Sequence, residues 1–257
     1  TIQSYMLHAW NLRARRKWDA LINFLEDKVI EFNIDELKFY QPQVLIAESY
    51  RHLGMYVEAQ ENFNDFESHT LHNPRCRIEI ARLRYDQKDY DKAAMQYFGA
   101  HDKNIKLFSK SYAIEYVQSL FYEHRLEELG QVIEQLSLLY PQTREWKLFQ
   151  VKSLTKMSKW KEAIEVADKC GIMLEDSLVQ DITLAKYRLG LIEEAHAHSV
   201  KPTFEHPYNY WKLVSEISML VQDTELAEYC YKGMIAIYPN YDSLENWSKL
   251  NDLRYRA

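Results

Sequence analysis

Apolar residues recur three and four positions apart along most of the chain, and this spacing predicts amphipathic α-helices. One such helix runs from Gln43 to Leu53, and a second follows a turn at Gly54. The second helix contains Ala59, and a closely similar stretch places Ala93 at the equivalent position, 34 residues later. The pattern therefore predicts an all-α protein in which a pair of helices is repeated.

The repeat extends over seven units of similar length. Each unit has one small or apolar residue at the same place in its second helix, which we call the anchor. The seven anchors are Leu21, Ala59, Ala93, Leu129, Ala163, Ala195 and Ala227. An aromatic or apolar residue follows four positions later, as at Phe63 and Tyr97, except in the unit of Ala195, which has Ser199. Because one helical hairpin cannot bury its apolar face alone, such repeats stack into a solenoid with a continuous core.

Small anchors, an aromatic four positions later and a closing proline together resemble the tetratricopeptide repeat family. Prolines close units at Pro74, Pro141 and Pro239, and the resemblance covers roughly residues 3–240. It implies a right-handed α-solenoid of about seven tetratricopeptide-like hairpins plus a C-terminal capping helix. The chain departs from the family pattern at Leu21 and Leu129, which replace the usual alanine, and in two long linkers near 32–41 and 101–109.

We expect a single superhelical domain over residues 1–257, because no Gly/Ser-rich or Pro-rich linker interrupts the pattern. Its units are predicted at about 3–36, 41–74, 75–108, 111–141, 145–174, 177–206 and 209–240, with a cap at 241–253. The apolar side chains of the cap, Leu244, Trp247 and Leu250, are spaced three apart, and we expect them to cover the last hairpin.

Composition restricts the class of function. The formal net charge is −6, and an acidic chain without a large basic face is a poor candidate for binding nucleic acid. No apolar run approaches the length of a membrane span, so we expect no membrane partner. The three cysteines, Cys76, Cys170 and Cys230, are odd in number and far apart, which favours free thiols in a reducing compartment, cytoplasmic or nuclear.

Catalytic and cofactor motifs are missing from the sequence, which contains no Gly-rich phosphate loop, HExxH, CxxC or Gly-x-Ser-x-Gly. The pairs His196/His198 and His69/His72 lack cysteines or acidic residues at metal-site spacing. We therefore expect a non-catalytic protein with no cofactor and no metal.

The resemblance implies that positions 18, 15, 11 and 8 before each anchor face a concave groove, as Gln41, Val44 and Glu48 would in the second unit. The groove is then rich in cations and aromatic rings, which are frequent in binding hot spots. The candidate partner-binding residues are Arg51, Arg75, Arg82, Tyr85, Gln118, Phe121, Tyr122, Lys152 and Tyr187. The alternative is that these side chains pack against one another across a tight superhelix.

One subclass of the family grips the C-terminal carboxylate of chaperones through Lys and Asn at positions 15 and 11 before the first anchor. Those positions hold Met6 and Trp10, or Val44 and Glu48 in the next unit, so this clamp is not expected. Aromatic residues at the ends of the array are candidate subunit contacts, including homo-oligomer contacts, with core packing as the alternative. They are Trp10, Trp18, Trp211 and Trp247.

These features predict a protein–protein interaction scaffold that holds a protein or peptide partner in its groove as a subunit of a larger assembly. The main alternative is a regulatory or targeting domain of a longer, enzyme-bearing protein. A catalytic solenoid and an RNA-binding repeat array are weaker alternatives, because the sequence offers neither a catalytic motif nor a constant base-reading pair.

Overall fold

The computed structural model describes residues 1–70 and 73–256, and within them it contains sixteen α-helices and no strand. The helices are α1 (Ile2–Ala14), α2 (Trp18–Val29), α3 (Ile34–Tyr40), α4 (Pro42–His52), α5 (Tyr56–Thr70), α6 (Pro74–Asp86), α7 (Tyr90–Asn104), α8 (Lys110–Tyr122), α9 (Leu126–Leu139), α10 (Arg144–Lys156), α11 (Trp160–Lys169), α12 (Val179–Arg188), α13 (Ile192–His198), α14 (Tyr208–Leu220), α15 (Thr224–Ile237) and α16 (Ser243–Arg256). They form two compact units, Thr1–Pro141 with α1 to α9 and Gln142–Ala257 with α10 to α16.

Seven helical hairpins account for most of both units. They are α1–α2, α4–α5, α6–α7 and α8–α9 in the first unit, and α10–α11, α12–α13 and α14–α15 in the second. All seven anchors have 0% of their surface exposed, so each is fully enclosed by the packing around its hairpin. Leu21 and Leu129 are as fully buried as the five alanines. The predicted all-α helical repeat is therefore confirmed.

The turn inside every hairpin has the same backbone geometry. The residue five positions before each anchor has a positive φ, between 55° and 78°. These residues are Arg16, Gly54, Lys88, His124, Ser158, Gly190 and Gln222. The N–H of the next residue donates to a carbonyl five positions back, as from Met55 to Tyr50, which closes the first helix in a Schellman turn. Only two of the seven turn residues are glycine, so composition alone did not reveal this regularity.

The long linker near 32–41 contains a helix that the sequence analysis did not predict, α3. Asn33 caps it by accepting from the backbone N–H groups of Asp35 and Glu36, while the Glu36 carboxylate accepts from the N–H of Asn33. Phe32 is buried and meets the ring of Tyr40 edge-on, 6.4 Å between centroids. This linker is therefore a folded element packed against the first two hairpins.

The second long linker, near 101–109, is shorter in the structure than predicted, because α7 continues to Asn104 and a single 3-10 turn, Ile105–Leu107, follows. Phe108 is buried beside Tyr97 and Tyr116. The hydroxyl of Tyr140, in the phrase LLYP, donates to the Phe108 carbonyl at 2.5 Å. In the second unit, Tyr238 of the phrase AIYP donates to the carbonyl of His206 at 2.6 Å, so the two similar phrases make the same contact.

The capping helix exists, but the prediction of which of its faces covers the last hairpin is wrong. In α16 the buried positions are Asn246, Leu250 and Leu253, whereas Leu244 and Trp247 are exposed. The reason is that positions four and three apart, rather than three and three, lie above one another on a helix that packs along its full length. The amide of Asn246 donates to the Tyr208 hydroxyl, which satisfies its polar group inside this contact.

Cys76, Cys170 and Cys230 are free thiols, and burial raises the pKa of Cys230 to about 12. Within the described residues, no helix combines the length and apolar character needed to cross a bilayer. The same residues contain no cluster of three or more potential metal ligands. His196 lies 3.1 Å from Asp223. The pair His69/His72 lies outside the described side chains.

Candidate functional site

The first helices of the first unit enclose an open cleft of about 470 Å³, which we call the first-unit cleft. Its lining residues are Trp10, Arg13, Phe39, Tyr40, Gln41, Val44, Leu45, Glu48, Arg75, Ile78, Glu79 and Tyr112. Gln41, Val44 and Glu48 occupy groove positions of the second hairpin, and Arg75 and Ile78 those of the third. The structure therefore brings these positions together in one cleft.

Two aromatic side chains lining the cleft remain open to solvent. Trp10 of α1 is 47% exposed and Phe39 of α3 is 79% exposed. Helix α3 contributes Phe39 and Tyr40, so the extra helix of the first linker adds aromatic surface to a cleft otherwise built from repeat helices. Exposed rings next to polar groups are a common composition of protein-binding surfaces.

Buried charges lie beneath this aromatic surface. Glu48 is 4% exposed, and the guanidinium of Arg13 holds it with two hydrogen bonds of 2.7 and 2.8 Å. This bidentate pair joins α1 to α4, and its geometry is the strongest that an arginine and a carboxylate can make. His52 lies 3.8 Å from Glu48, and burial together with Arg51 lowers the pKa of this imidazole to about 4.

Arg51 is buried and ties the second hairpin to the third. Its Nη1 donates to Asp86 at 2.6 Å, and its Nη2 lies 3.7 Å from Glu79 Oε2. Arg82 reaches the same Glu79 oxygen at 3.6 Å and lies 3.3 Å from Glu115 of α8. The network therefore joins four hairpins of the first unit when the Arg13–Glu48 pair is included.

Glu79 is the least satisfied member of this network. It is 7% exposed, and its Oε2 atom is buried without a hydrogen bond, since both nearby guanidinium groups stand more than 3.5 Å away. Burial is the main cause that raises the pKa of Glu79, to about 7, and the neighbouring Glu48 charge adds to the rise. The surrounding arginines oppose this shift.

Contacts between neighbouring hairpins follow a regular rule. The residue eight positions before one anchor hydrogen-bonds the residue eleven positions before the next in three places: Arg13 to Glu48, Tyr85 to Gln118, and Tyr187 to Glu216. Thr155, eight positions before its anchor, also donates a hydrogen bond to the next hairpin, but its acceptor is Asp181, fourteen positions before the next anchor. Positions assigned to a groove from the sequence therefore share a face, and part of their hydrogen-bonding capacity joins consecutive hairpins.

The candidate partner-binding residues consequently fall into two groups. Arg51, Arg82, Tyr85, Gln118 and Tyr187 contact neighbouring hairpins in the ways described above. In the second group Arg75 is exposed, Phe121 and Lys152 are half-buried, and Tyr122 is exposed with its ring stacked on Tyr90 at 4.6 Å. Lys152 and Tyr187 belong to the second compact unit, and the others to the first.

The four terminal tryptophans lie in different environments. Trp10 lines the first-unit cleft, and Trp18 stacks on His52 at 4.2 Å. Trp211 is buried, donates its indole N–H to the Thr203 carbonyl, and belongs to the core of the second unit. Trp247 lies on the outer side of α16 and is 48% exposed. Trp10 and Trp247 are therefore the two exposed members of this group of four.

The sequence analysis missed six residues of the cleft: Arg13, Phe39, Tyr40, Leu45, Glu79 and Tyr112. Phe39 and Tyr40 lie on α3, and the Asn33-x-x-Glu36 capping box was the signal that could have revealed this helix. Glu79 and Tyr112 lie off the four positions assigned to the groove, so the rule taken from the family excluded them.

The second unit has a smaller cleft of about 380 Å³ along α12 and α14. Its lining includes Gln180, Tyr187, Lys212 and Glu216, and the Tyr187 hydroxyl donates to the Glu216 carboxylate at 3.2 Å. Among the residues that the structure describes, the second unit contains no buried ion-pair network comparable to that of the first, so we take the first-unit cleft as the main candidate site.

Neither a protein-family model nor a curated protein sequence matches the chain. Solved structures do match. A tetratricopeptide repeat protein from Parabacteroides merdae has a TM-score of 0.57 and 14% identity, over 97% of this chain and 98% of the other. PilF of Pseudomonas aeruginosa has a TM-score of 0.55 and 14% identity, over 87% and 99%. A chain of the anaphase-promoting-complex hetero-tetramer Cut9–Hcn1 has a TM-score of 0.53 and 10% identity, over 98% and 49%.

These similarities establish the fold. The chain has a tetratricopeptide-like helical-repeat fold, as its sequence pattern predicted. At such low identity, the similarity by itself assigns neither a partner nor an activity.

Proposed function

We propose that the protein is a non-catalytic interaction scaffold that binds a segment of a partner protein in the first-unit cleft. The observation that carries the proposal is the combination of open aromatic surface, Trp10 and Phe39, with buried charges in one 470 Å³ cleft. Aromatic and arginine side chains at the centre of a concave surface are the usual source of binding energy between proteins.

The underlying charges favour a preorganised site. Arg13 and Glu48 both line the cleft and are held by two hydrogen bonds between consecutive hairpins, so a partner meets charged side chains that have already lost their conformational freedom. Such preorganisation lowers the entropy cost of binding. A role as a subunit of a larger assembly agrees with the fold similarity to a chain of the Cut9–Hcn1 hetero-tetramer.

The test is affinity purification of the tagged chain from its native cells, followed by mass spectrometry. The cleft variant is Trp10→Ala/Phe39→Ala. The matched control is Trp247→Ala/Phe204→Ala, which removes a tryptophan and a phenylalanine far along the chain in the second unit. Trp247 is 48% exposed and Phe204 is 77% exposed, which nearly equals the exposure of Trp10 and Phe39, respectively. We expect a stoichiometric partner that is lost with the cleft variant and retained with the control.

Two results would contradict this proposal. Loss of the partner with the control variant alone would place the interface on the last hairpin and α16. Retention of the partner by both variants would remove the first-unit cleft from consideration. Circular dichroism of both variants must first show the helical content of the parent chain, because a misfolded variant loses partners for another reason.

A further inference from the structure

The ion-pair network beneath the first-unit cleft contains more negative than positive charges. Among the described residues, it joins three guanidinium groups, those of Arg13, Arg51 and Arg82, to four carboxylates. The carboxylates are Glu48, Glu79, Asp86 and Glu115. When Glu79 is ionised, the network is therefore short of one positive charge.

Glu79 is the residue at which this deficit is concentrated. Glu48 receives two hydrogen bonds from Arg13, Asp86 receives one from Arg51, and Glu115 receives two, from Arg82 and from the hydroxyl of Tyr97. Among the described residues, no group donates a hydrogen bond to the Oε2 atom of Glu79, although this side chain is more than nine-tenths buried and lines the cleft. A buried carboxylate without a donor is costly, so a donor supplied by a ligand would be strongly favoured there.

The aromatic residues of the same cleft favour the same kind of ligand. Trp10, Phe39, Tyr40 and Tyr112 all line it, and the faces of aromatic rings attract cations. Arg82 already uses this interaction, with its guanidinium 4.9 Å from the ring centroid of Tyr112. Among the described residues lining the cleft, Arg75 is the one cation outside the network, and solvent screens the charge of its exposed guanidinium.

We propose that the first-unit cleft recognises a lysine or arginine side chain of the partner segment, with its cationic head against Glu79 and its stem on the exposed aromatic rings. The inference rests on the proposed function and names the chemistry of the partner. The incoming cation completes the charge balance of the network and supplies the missing donor, while the aliphatic stem covers apolar surface of Trp10 and Phe39. Charge complementarity and the unsatisfied carboxylate thus point to the same occupant.

The experiment uses the full chain and four pools of nonapeptides, each with a fixed central residue and randomised flanks. The central residue is lysine, arginine, norleucine or glutamate, so norleucine matches the stem of lysine without its charge. Binding is followed by the indole N–H signal of Trp10 in NMR spectra, assigned by its disappearance in Trp10→Phe. We expect the lysine and arginine pools to shift this signal at concentrations about tenfold below the norleucine pool, as one charge-assisted hydrogen bond would give.

A charge-removing variant tests the assigned carboxylate. Glu79→Gln keeps the shape of the side chain and is expected to abolish the preference for lysine over norleucine. The control Glu127→Gln removes an exposed carboxylate from α9 outside the cleft and is expected to keep the preference. If Glu79→Gln fails to fold, the comparison of lysine and norleucine pools on the parent chain still decides the question.

The outcomes separate this inference from the proposed function. Equal binding of lysine and norleucine pools, tighter binding of the glutamate pool, or no shift with any pool would each overturn the inference. If capture of the native partner still depends on Trp10 and Phe39, the scaffold function stands and only the cationic anchor is refuted. If partner capture is independent of both rings while the lysine pool shifts Trp10, the proposed function fails and the cation site remains.

Discussion

Replacing Arg51 with methionine should destabilise the first unit, although the sequence marked this arginine as a partner-binding residue. The side chain is 5% exposed and contacts Asp86 at 2.6 Å and Glu79 at 3.7 Å. Methionine keeps most of the aliphatic stem and removes the charge. Glu79 then loses one of the two cations near it and remains buried beside Glu48.

The size of the effect follows from which partner can return to water. Removing one member of a buried ion pair costs about 3–5 kcal/mol, because the other member is left unpaired. The side chain of Asp86 is 31% exposed and regains hydration, whereas Glu79 does not, so we expect the lower end, about 3 kcal/mol. For a chain of this size, that corresponds to a fall in melting temperature of about 6–12 °C.

The assay is urea and thermal unfolding followed by far-UV circular dichroism, with hydrogen exchange to locate the change in α4 and α6. The matched control is Arg75→Met, the same substitution at an exposed arginine lining the same cleft, for which a change within about 0.5 kcal/mol is expected. Equal effects of the two substitutions would refute the assignment of Arg51 as a tie between hairpins.

Further outcomes follow from single residues. Burial raises the pKa of Glu79 in the folded chain, so between about pH 4.5 and 7 the folded chain holds a proton that the unfolded chain has released. The free energy of unfolding should therefore fall as pH rises through this range. Urea midpoints at pH 5 and 8 should show this fall, and Glu79→Gln should remove it. Gly54→Ala should cost about 1–2 kcal/mol from its φ of +78° alone, because no atom lies within 4 Å of the added methyl; an unchanged urea midpoint would contradict this. Gly233→Ala places a Cβ far inside contact distance of Trp211, so a loss of about 2 kcal/mol or more and a changed tryptophan fluorescence are expected, and a neutral result would refute the close approach. Tyr140→Phe should cost about 1 kcal/mol in unfolding by urea through its bond to Phe108, with no loss if that bond does not form in solution.

Much of the fold could be predicted from residues that satisfy local rules. The seven anchors are visible because a helix that approaches its partner closely accepts only certain side chains at that point, and all seven are buried. The phrases ending in Tyr140 and Tyr238 are recognisable for the same reason, since each makes an equivalent contact within its own hairpin. Helix α3 was missed although its capping box is present, because a seven-residue helix has too few positions to show a period.

The candidate site was only partly predictable. Position rules placed Val44, Glu48 and Arg75 on one face, and the structure places them in one cleft. The same rules gave no means of separating Arg51, which is buried in an ion-pair network, from Arg75, which is exposed. The difference depends on which carboxylates the neighbouring hairpins present, and those come from residues about 35 positions away.

The sequence by itself determined that this protein is built from repeated helical hairpins, because helix period, anchor size and hairpin length are properties of residues close together in the chain. It also predicted which residues of each first helix share one face. Only the tertiary structure decided which side chains on that face join hairpins and which remain open, because that depends on distances between residues in different repeats. The unsatisfied carboxylate of Glu79 and the aromatic surface added by Phe39 emerge only when α3, α4 and α6 are brought together.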